Sequence, residues 1–565
     1  MELFRKFLCI LLFGGLILLA ESTAFAQYRS DVFSSPLQIP LKLAGNFCEI
    51  RSNHFHSGLD FKTNGAEGQP VFTACEGWIS RIKVSTSGFG RVVYINHPQG
   101  YTTVYAHLSS FCDPVAALVD SIQRANQSYE MEFFPDSSRF PVIKHQLIGI
   151  SGNSGGSQAP HLHFEIRDRY SEEPLNPMGF GLPIADTIAP NISKIAWYVE
   201  RNGNFIQVGS NAISIYNKTE SDTFHVCEDV YYAAFSGIDT DSTSSLGIYS
   251  IAFIADKDTI YKVKFDRFNF SESKLVNAYI DYKELKLRKT EMQRCFKTEG
   301  NTFSVFKKIK NRGVQILDYI PVDCRLVVTD FYGNSSSYNW VFQADSIADS
   351  LLRDFQSVLI PPKYNVTVLN GGEVISDRLK VEIPPGAVYE NAQIGAAVTI
   401  KKNILSVSIG SPLIALQKPV SVSLKLKPSP KLSYWFSEVN SEGKPNGNAF
   451  PLKYFKNHLE GSLRAFGNYR LMIDSMPPKI VSVVKTTDSV KKLNPVFAVK
   501  ITDDLSGIKK ADAFINGIWQ PCEWDAKHDA LLIPMWIDCS GPVNVDITAV
   551  DYSGNSVKVN SCFSY

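Results

Sequence analysis

Residues 159–166 read Ala-Pro-His-Leu-His-Phe-Glu-Ile, with apolar side chains at every second position from Leu162. That alternation is the pattern of a β-strand with one face packed against a core. Successive side chains on a strand point to opposite faces, so residues i and i+2 share one. His161 and His163 therefore look into one space while Leu162 and Phe164 pack behind them. Two imidazoles facing one cleft can hold a metal, or hold a metal and move a proton.

The surrounding region has the same texture. Gly77 to Val84, Arg91 to His97 and Tyr101 to His107 alternate in the same way, separated by Ser87-Gly88-Phe89-Gly90 and by Pro98-Gln99-Gly100. Strands bounded by Gly and Pro at this spacing predict hairpins. The stretch from Pro114 to Gln127 predicts the only helix of this region, on an insertion spanning 109–140. Leu147 to Ile150 and Pro160 to Ile166 resume the strands, with a Gly/Ser/Asn loop between them.

Beyond Asp186 the chain repeats itself. Asp186-Thr187-Ile188-Ala189-Pro190 is echoed by Asp474-Ser475-Met476-Pro477-Pro478, Gly247-Ile248 by Gly507-Ile508, and Asp330-Phe331-Tyr332-Gly333-Asn334 by Asp551-Tyr552-Ser553-Gly554-Asn555. The same marks in the same order predict two copies of one all-β module. The Asp-x-x-Gly-Asn segments suit tight turns, since Gly and Asn tolerate the left-handed backbone. These modules resemble bacterial immunoglobulin-like sandwiches. Asn370-Gly371-Gly372-Glu373-Val374 and Ile383-Pro384-Pro385-Gly386-Ala387 resemble the β-sandwich module of ankyrins and netrin receptors. The expected organisation is a signal peptide at 1–26, a β domain at 27–185, an Ig-like β-module at 186–345, a short helical linker at 346–363, a β-sandwich module at 364–473 and a second Ig-like module at 474–565. The fold class expected is mainly β.

At 565 residues the chain exceeds what one core can organise. Its 57 Lys and Arg against 56 Asp and Glu leave no basic excess for nucleic acid and no acidic solvating tail. Arg5 and Lys6 precede an apolar run from Phe7 to Ala20, followed by Ala24-Phe25-Ala26. This predicts a secretory signal cleaved after Ala26. The apolar run is shorter than the roughly 18–20 residues that span a bilayer, and no later segment is long and apolar enough to do so, so no stable membrane anchor is expected. Export to the periplasm is the expectation, with release outside the cell as the alternative. Nine cysteines follow Ala26, at 48, 75, 112, 227, 295, 324, 522, 539 and 562. An exported chain can form disulfides, but the odd number and wide spacing of these cysteines let no disulfide framework be read, and without a C-x-x-C pair they offer no cysteine zinc site.

Seven of the ten histidines fall between 54 and 163. His56-Ser57-Gly58-Leu59-Asp60 adds an imidazole and a carboxylate four apart. A catalytic zinc takes three nitrogen or oxygen ligands and keeps a fourth position open. His56, Asp60 and one member of the 161/163 pair meet that requirement. His97 and His145 are read as structural, and His54 as lining the cleft or merely exposed. Asn46 and Arg51 either reach the substrate or belong to a plain loop. The Gly152–Gly156 loop lacks the Lys-Ser/Thr of a phosphate-binding loop and is read as a turn bordering the cleft.

His56-x-x-x-Asp60, Tyr105-Ala106-His107-Leu108, Gly152-Asn153-Ser154-Gly155 and Pro160-His161-Leu162-His163-Phe164-Glu165, in that order, resemble the lysostaphin/LytM-type zinc metallopeptidases of family M23. The resemblance covers roughly residues 45–170. It implies a lysostaphin-type antiparallel β domain in which His56, Asp60 and His163 bind Zn2+. It implies His161 as general base and His107 as a residue that bonds the developing oxyanion or positions the attacking water. The insertion after His107 departs from the family pattern, as a wall of the cleft or a lid. The substrate implied is the peptide cross-links of peptidoglycan. Two other readings accompany this one: a non-catalytic regulator of wall hydrolases on the same fold, and a wall-binding, adhesin-like protein whose β-modules matter most.

Overall fold

The computed structural model describes residues 32–344 and 364–563, apart from 202, 214–221, 227–229, 242, 311–312, 316–319, 441, 487–495 and 535–542. The signal peptide and the linker expected at 346–363 lie outside the described residues. Among the described residues the chain is built mainly of antiparallel strands.

Residues 43–175 form one sheet of eleven strands. Its central path runs Leu43–Gly45, Leu59–Lys62, His161–Asp168, Tyr101–Phe111, Arg91–Asn96, Gly77–Val84 and Pro141–Val142. The His161–Asp168 strand thus lies between two neighbours, and its apolar alternates Leu162, Phe164 and Ile166 have no exposed surface. Their opposite face carries His161, His163, Glu165 and Arg167, a polar row of period two. The predicted helix runs from Val115 to Asn126 and buries Val115, Val119 and Gln123. A short 3-10 turn at Pro177–Phe180 adds a second helical element to this region. The strand expected to finish at His107 continues to Phe111.

Residues 191–344 form two six-stranded sheets, 372–474 contribute to a nine-stranded sheet, and 479–563 form two four-stranded sheets. The two Asp-x-x-Gly-Asn segments fold alike. Asn334 N–H donates to Asp330 Oδ1 at 2.8 Å, as Asn555 N–H does to Asp551 Oδ1. Gly333 and Gly554 have φ of 94° and 92°, a backbone favouring glycine.

The apolar core does not break at 185/186. One buried cluster runs from Val32 through Phe55, Phe164 and Phe180 to Phe265, Phe303 and Trp340. Phe55 stacks on Phe303 with ring centroids 4.5 Å apart. Separate cores fill 366–469 and 497–549. The first β domain and the segment after it are therefore packed as one body.

Candidate metal centre

Strand register brings the first two candidate ligands together. His163 sits directly opposite Asp60 on the neighbouring strand, and cross-strand partners place their Cβ atoms about 5 Å apart. His56 reaches the same point from the loop before Leu59. That loop is pressed against the His161–Asp168 strand at Gly58, where a Cβ would lie 2.3 Å from the Phe164 carbonyl oxygen. Any side chain there would collide with the backbone of that strand.

The result is a tight cluster. His56 Nε2 lies 3.0 Å from Asp60 Oδ1 and 3.0 Å from His163 Nδ1, and His163 Nδ1 lies 2.9 Å from Asp60 Oδ1. All three residues are buried. His161 Nε2 stands 3.3 Å from the same Asp60 oxygen, and its ring centroid is 4.8 Å from that of His107.

The outward nitrogens of these rings decide what the inward ones are. His56 Nδ1 lies 2.7 Å from the Asn46 carbonyl, His107 Nδ1 2.9 Å from the Ser154 carbonyl, and His161 Nδ1 2.8 Å from the Ala159 carbonyl. A carbonyl only accepts, so each Nδ1 carries the proton and each Nε2 of a neutral ring is bare. His163 is reversed, with Nε2 2.9 Å from Glu165 Oε1. Its Nδ1 is therefore the bare atom. In the neutral rings, lone pairs on His56 Nε2, His161 Nε2 and His163 Nδ1 lie within 3.3 Å of Asp60 Oδ1.

Asp60 and Glu165 are themselves held. Arg51 Nη2 donates to Asp60 Oδ2 at 3.1 Å, leaving Oδ1 for the cluster. Burial would raise the Asp60 pKa, but His56 and the bonds from His161 and His163 hold it well below the usual carboxylate range. Glu165 has no exposed surface and accepts from Ser57 Oγ, Arg167 Nε and His163. Burial opposes charge on His163, but its hydrogen bonds to Asp60 and Glu165 outweigh it and push its pKa up to about 9, so near neutral pH a proton sits on Nδ1 and a metal ion would displace it to reach that lone pair. The pocket is thus arranged for positive charge at this point.

A zinc ion with ligands at 2.0–2.1 Å in tetrahedral array separates its donor atoms by about 3.3 Å. The 2.9–3.0 Å spacing of His56 Nε2, Asp60 Oδ1 and His163 Nδ1 approaches that value. The donor types, their bare lone pairs and their carboxylate and carbonyl supports all fit such an ion.

His107 arrives by a device that alternation does not foresee. His163 pairs with Ala106, so a regular strand would turn His107 to the opposite face. A bulge intervenes: Arg91 pairs with Leu108 but Val93 with Tyr105, so the His107 strand carries an extra residue. His107 takes the left-handed backbone, φ 60°, and its ring enters the cleft. Burial first, then His163 and His161, lower its pKa to about 3. With Nδ1 bonded to the Ser154 carbonyl, the neutral His107 ring has an accepting Nε2.

The remaining expectations resolve as follows. His97 is buried between the Glu76 carbonyl and Thr103 Oγ1, and His145 sits in an exposed turn. His54 is exposed, with Nδ1 bonded to the Ser52 carbonyl. Asn46 and Arg51 support ligands His56 and Asp60 from behind. The Gly152–Gly156 loop borders the cleft and supplies the Ser154 carbonyl. The insertion helix packs on the Tyr101–Phe111 strand. Ser57, Phe89, Glu165 and Arg167 were not among the predicted residues. Phe89 stacks on His163 at 5.0 Å, and only the period-two row running on from His163 announces Glu165 and Arg167.

The Peptidase family M23 model matches residues 54–123. A Haemophilus influenzae protein described as an uncharacterized metalloprotease is 31% identical over 128 residues, which are 23% of this chain and 21% of its own length. The DD-carboxypeptidase/endopeptidase Mpg of Neisseria meningitidis serogroup B is 30% identical over 128 residues, 23% of each chain. The peptidoglycan DD-endopeptidase ShyA of Vibrio cholerae serotype O1 is 31% identical over 133 residues, 24% of each chain. The chain thus spans about a fifth to a quarter of the length of the curated relatives it matches. Residues 54–123, which carry His56, Asp60 and His107, thus resemble the M23 peptidases, a family that implies a metal.

Proposed function

We propose that this protein is an exported zinc endopeptidase that hydrolyses peptide cross-links of peptidoglycan. The observation that carries the reading is the convergence of His56 Nε2, Asp60 Oδ1 and His163 Nδ1, with two further bare imidazole nitrogens beside it. Relatives named as peptidoglycan DD-endopeptidases support the substrate class. The pattern Arg5-Lys6, apolar run, Ala24-x-Ala26 supports export to the periplasm. Among the described residues no helix is long and apolar enough to cross a membrane.

His56, Asp60 and His163 would hold the ion, which when bound makes water acidic and polarises a carbonyl. His161 supplies the base. Its Nε2 is bare, faces the ligand cluster and belongs to the most accessible of the four rings, with 15% of the side chain exposed. It takes a proton from the attacking water and returns it to the leaving amine. His107 accepts a hydrogen bond at Nε2 and so fixes where that water stands. Glu165 holds the His163 tautomer, and Arg51 binds Asp60 Oδ2 and leaves Oδ1 turned inward.

The test is digestion of purified sacculi with mass analysis of the released fragments, with and without a chelator. Fragments cut within the peptide cross-links, lost on chelation and restored by zinc, are expected. Fragments released equally in the chelator's presence would overturn the metal mechanism.

A further inference from the structure

Among the described residues, polar contacts join the C-terminal module to the β domain that carries His107. Glu523 Oε2 accepts from Arg91 Nη2 at 3.1 Å, and both side chains are largely buried, 17% and 23% exposed. Lys527 Nζ donates to the Asn153 carbonyl at 3.3 Å, and Arg124 of the insertion helix donates to the Trp519 carbonyl at 3.4 Å. Arg91 opens the strand that follows the 87–90 turn and Asn153 lies in the Gly152–Gly156 loop, and these two segments border the cleft. They are already fastened to one another and to His107. Arg91 N–H donates to Ser154 Oγ at 3.0 Å, Gly156 N–H donates to the Gly88 carbonyl at 2.8 Å, and the Ser154 carbonyl holds His107 Nδ1. Gly90 and Gly155 meet so closely that a Cβ on either would lie about 2.4 Å from the other loop.

We propose that the module at 496–563 is a brace of the catalytic cleft, and that Glu523, through Arg91 and Ser154, is a positioning residue for His107. The proposal rests on the hydrolase reading of the metal site. The physical basis is specific. His107 holds a left-handed backbone that L-residues rarely adopt, and such strain persists only where neighbours over-determine it. The two loops meet backbone to backbone at Gly90 and Gly155, with Phe89 as an apolar anchor on the strands beneath. A largely buried ion pair at the end of one loop and a lysine on the carbonyl of the other supply fixed points from outside. Losing one partner of a largely buried pair strands the other charge, so Arg91 shifts when Glu523 is removed. None of these hydrogen bonds reaches His56, Asp60 or His163; the contact from the braced segment to the ligand cluster is Phe89, which stacks on His163, so zinc content is read alongside the rate.

The experiment uses the full chain as wild type, Glu523→Ala and Glu523→Gln. It measures fragment release from sacculi at limiting and saturating substrate, zinc content, and amide exchange at residues 87–91 and 152–156. For Glu523→Ala we expect unchanged zinc content, faster exchange in both loops and a maximal rate down about tenfold or more, the scale of a misplaced catalytic group. Glu523→Gln, which keeps an acceptor for Arg91, recovers much of that loss. Wild-type rate and exchange in Glu523→Ala overturn the brace. A raised rate also overturns it, since the module would then be a lock. A wild-type chain that releases no fragments defeats the hydrolase reading instead, and loop exchange still decides whether Glu523 braces the cleft.

Discussion

The side-chain amide of Asn46 is clamped to the backbone of Gly247, donating through Nδ2 to its carbonyl and accepting its N–H at Oδ1, both at 2.7 Å. The main-chain carbonyl of the same Asn46 holds Nδ1 of His56. The segment after the peptidase domain therefore sets the ring of a candidate metal ligand. Outer-shell groups of this kind tune metal affinity by about 10- to 100-fold. Asn46→Ala keeps the carbonyl but frees the loop. Competition with a chromogenic chelator should show zinc held at least about tenfold more weakly, with the melting of the chain little changed. Unaltered zinc affinity would count against the clamp.

The two histidines of the His161–Asp168 strand should separate cleanly on substitution. His163 donates a lone pair to the ligand cluster, so His163→Ala loses zinc and activity together. His161 stands outside the triad, so His161→Ala keeps zinc at wild-type stoichiometry while sacculus digestion falls by about 100-fold or more, the scale of a lost general base. Metal analysis and digestion on the same preparations check both. Full activity in His161→Ala would remove it from the mechanism.

The parts of this centre that were legible in the sequence are those governed by local geometry. Period two places His161 and His163 on one face and extends to Glu165 and Arg167. The His56-x-x-x-Asp60 spacing bridges a loop and a strand start. The paired Asp-x-x-Gly-Asn turns follow from the conformational freedom of Gly and Asn. What was not legible depends on register and distance along the chain. Nothing in Tyr-Ala-His-Leu announces the bulge that turns His107 inward, since a bulge is a property of two paired strands. The Asn46–Gly247 clamp joins residues 201 apart, and Arg91–Glu523 joins residues 432 apart. Pairing across such distances is set by how whole domains pack, and a core continuous across 185/186 shows the same thing at larger scale.

The bulge makes its own prediction. A left-handed backbone costs an L-residue roughly 1–2 kcal/mol that glycine does not bear. His107→Ala and His107→Gly both remove the imidazole, and both should digest sacculi far more slowly than wild type. They should differ in stability, with His107→Gly more stable than His107→Ala by about 1 kcal/mol in denaturant melts. Equal stabilities would mean that the strand relaxes at this point and that no strain is held at His107.

His97 offers a test of the structural role assigned to it. It is wholly buried, and burial lowers its pKa to about 4 despite the bond from its ring to the Glu76 carbonyl. In the unfolded chain a histidine titrates near 6.5. The unfolded state therefore takes up the proton first as pH falls, and the folded state loses stability between those two values. Above pH 6.5 the penalty is absent. By pH 5 it amounts to about 2 kcal/mol, and below pH 4 it no longer grows. Substituting His97→Gln removes the titrating group while keeping a side chain that can bond Thr103 and the Glu76 carbonyl. Denaturant melts at pH 7 and pH 5 should show wild type losing about 2 kcal/mol more than His97→Gln over that interval. Parallel losses in the two proteins would show that His97 is protonated in the fold and that its burial is not what sets its charge.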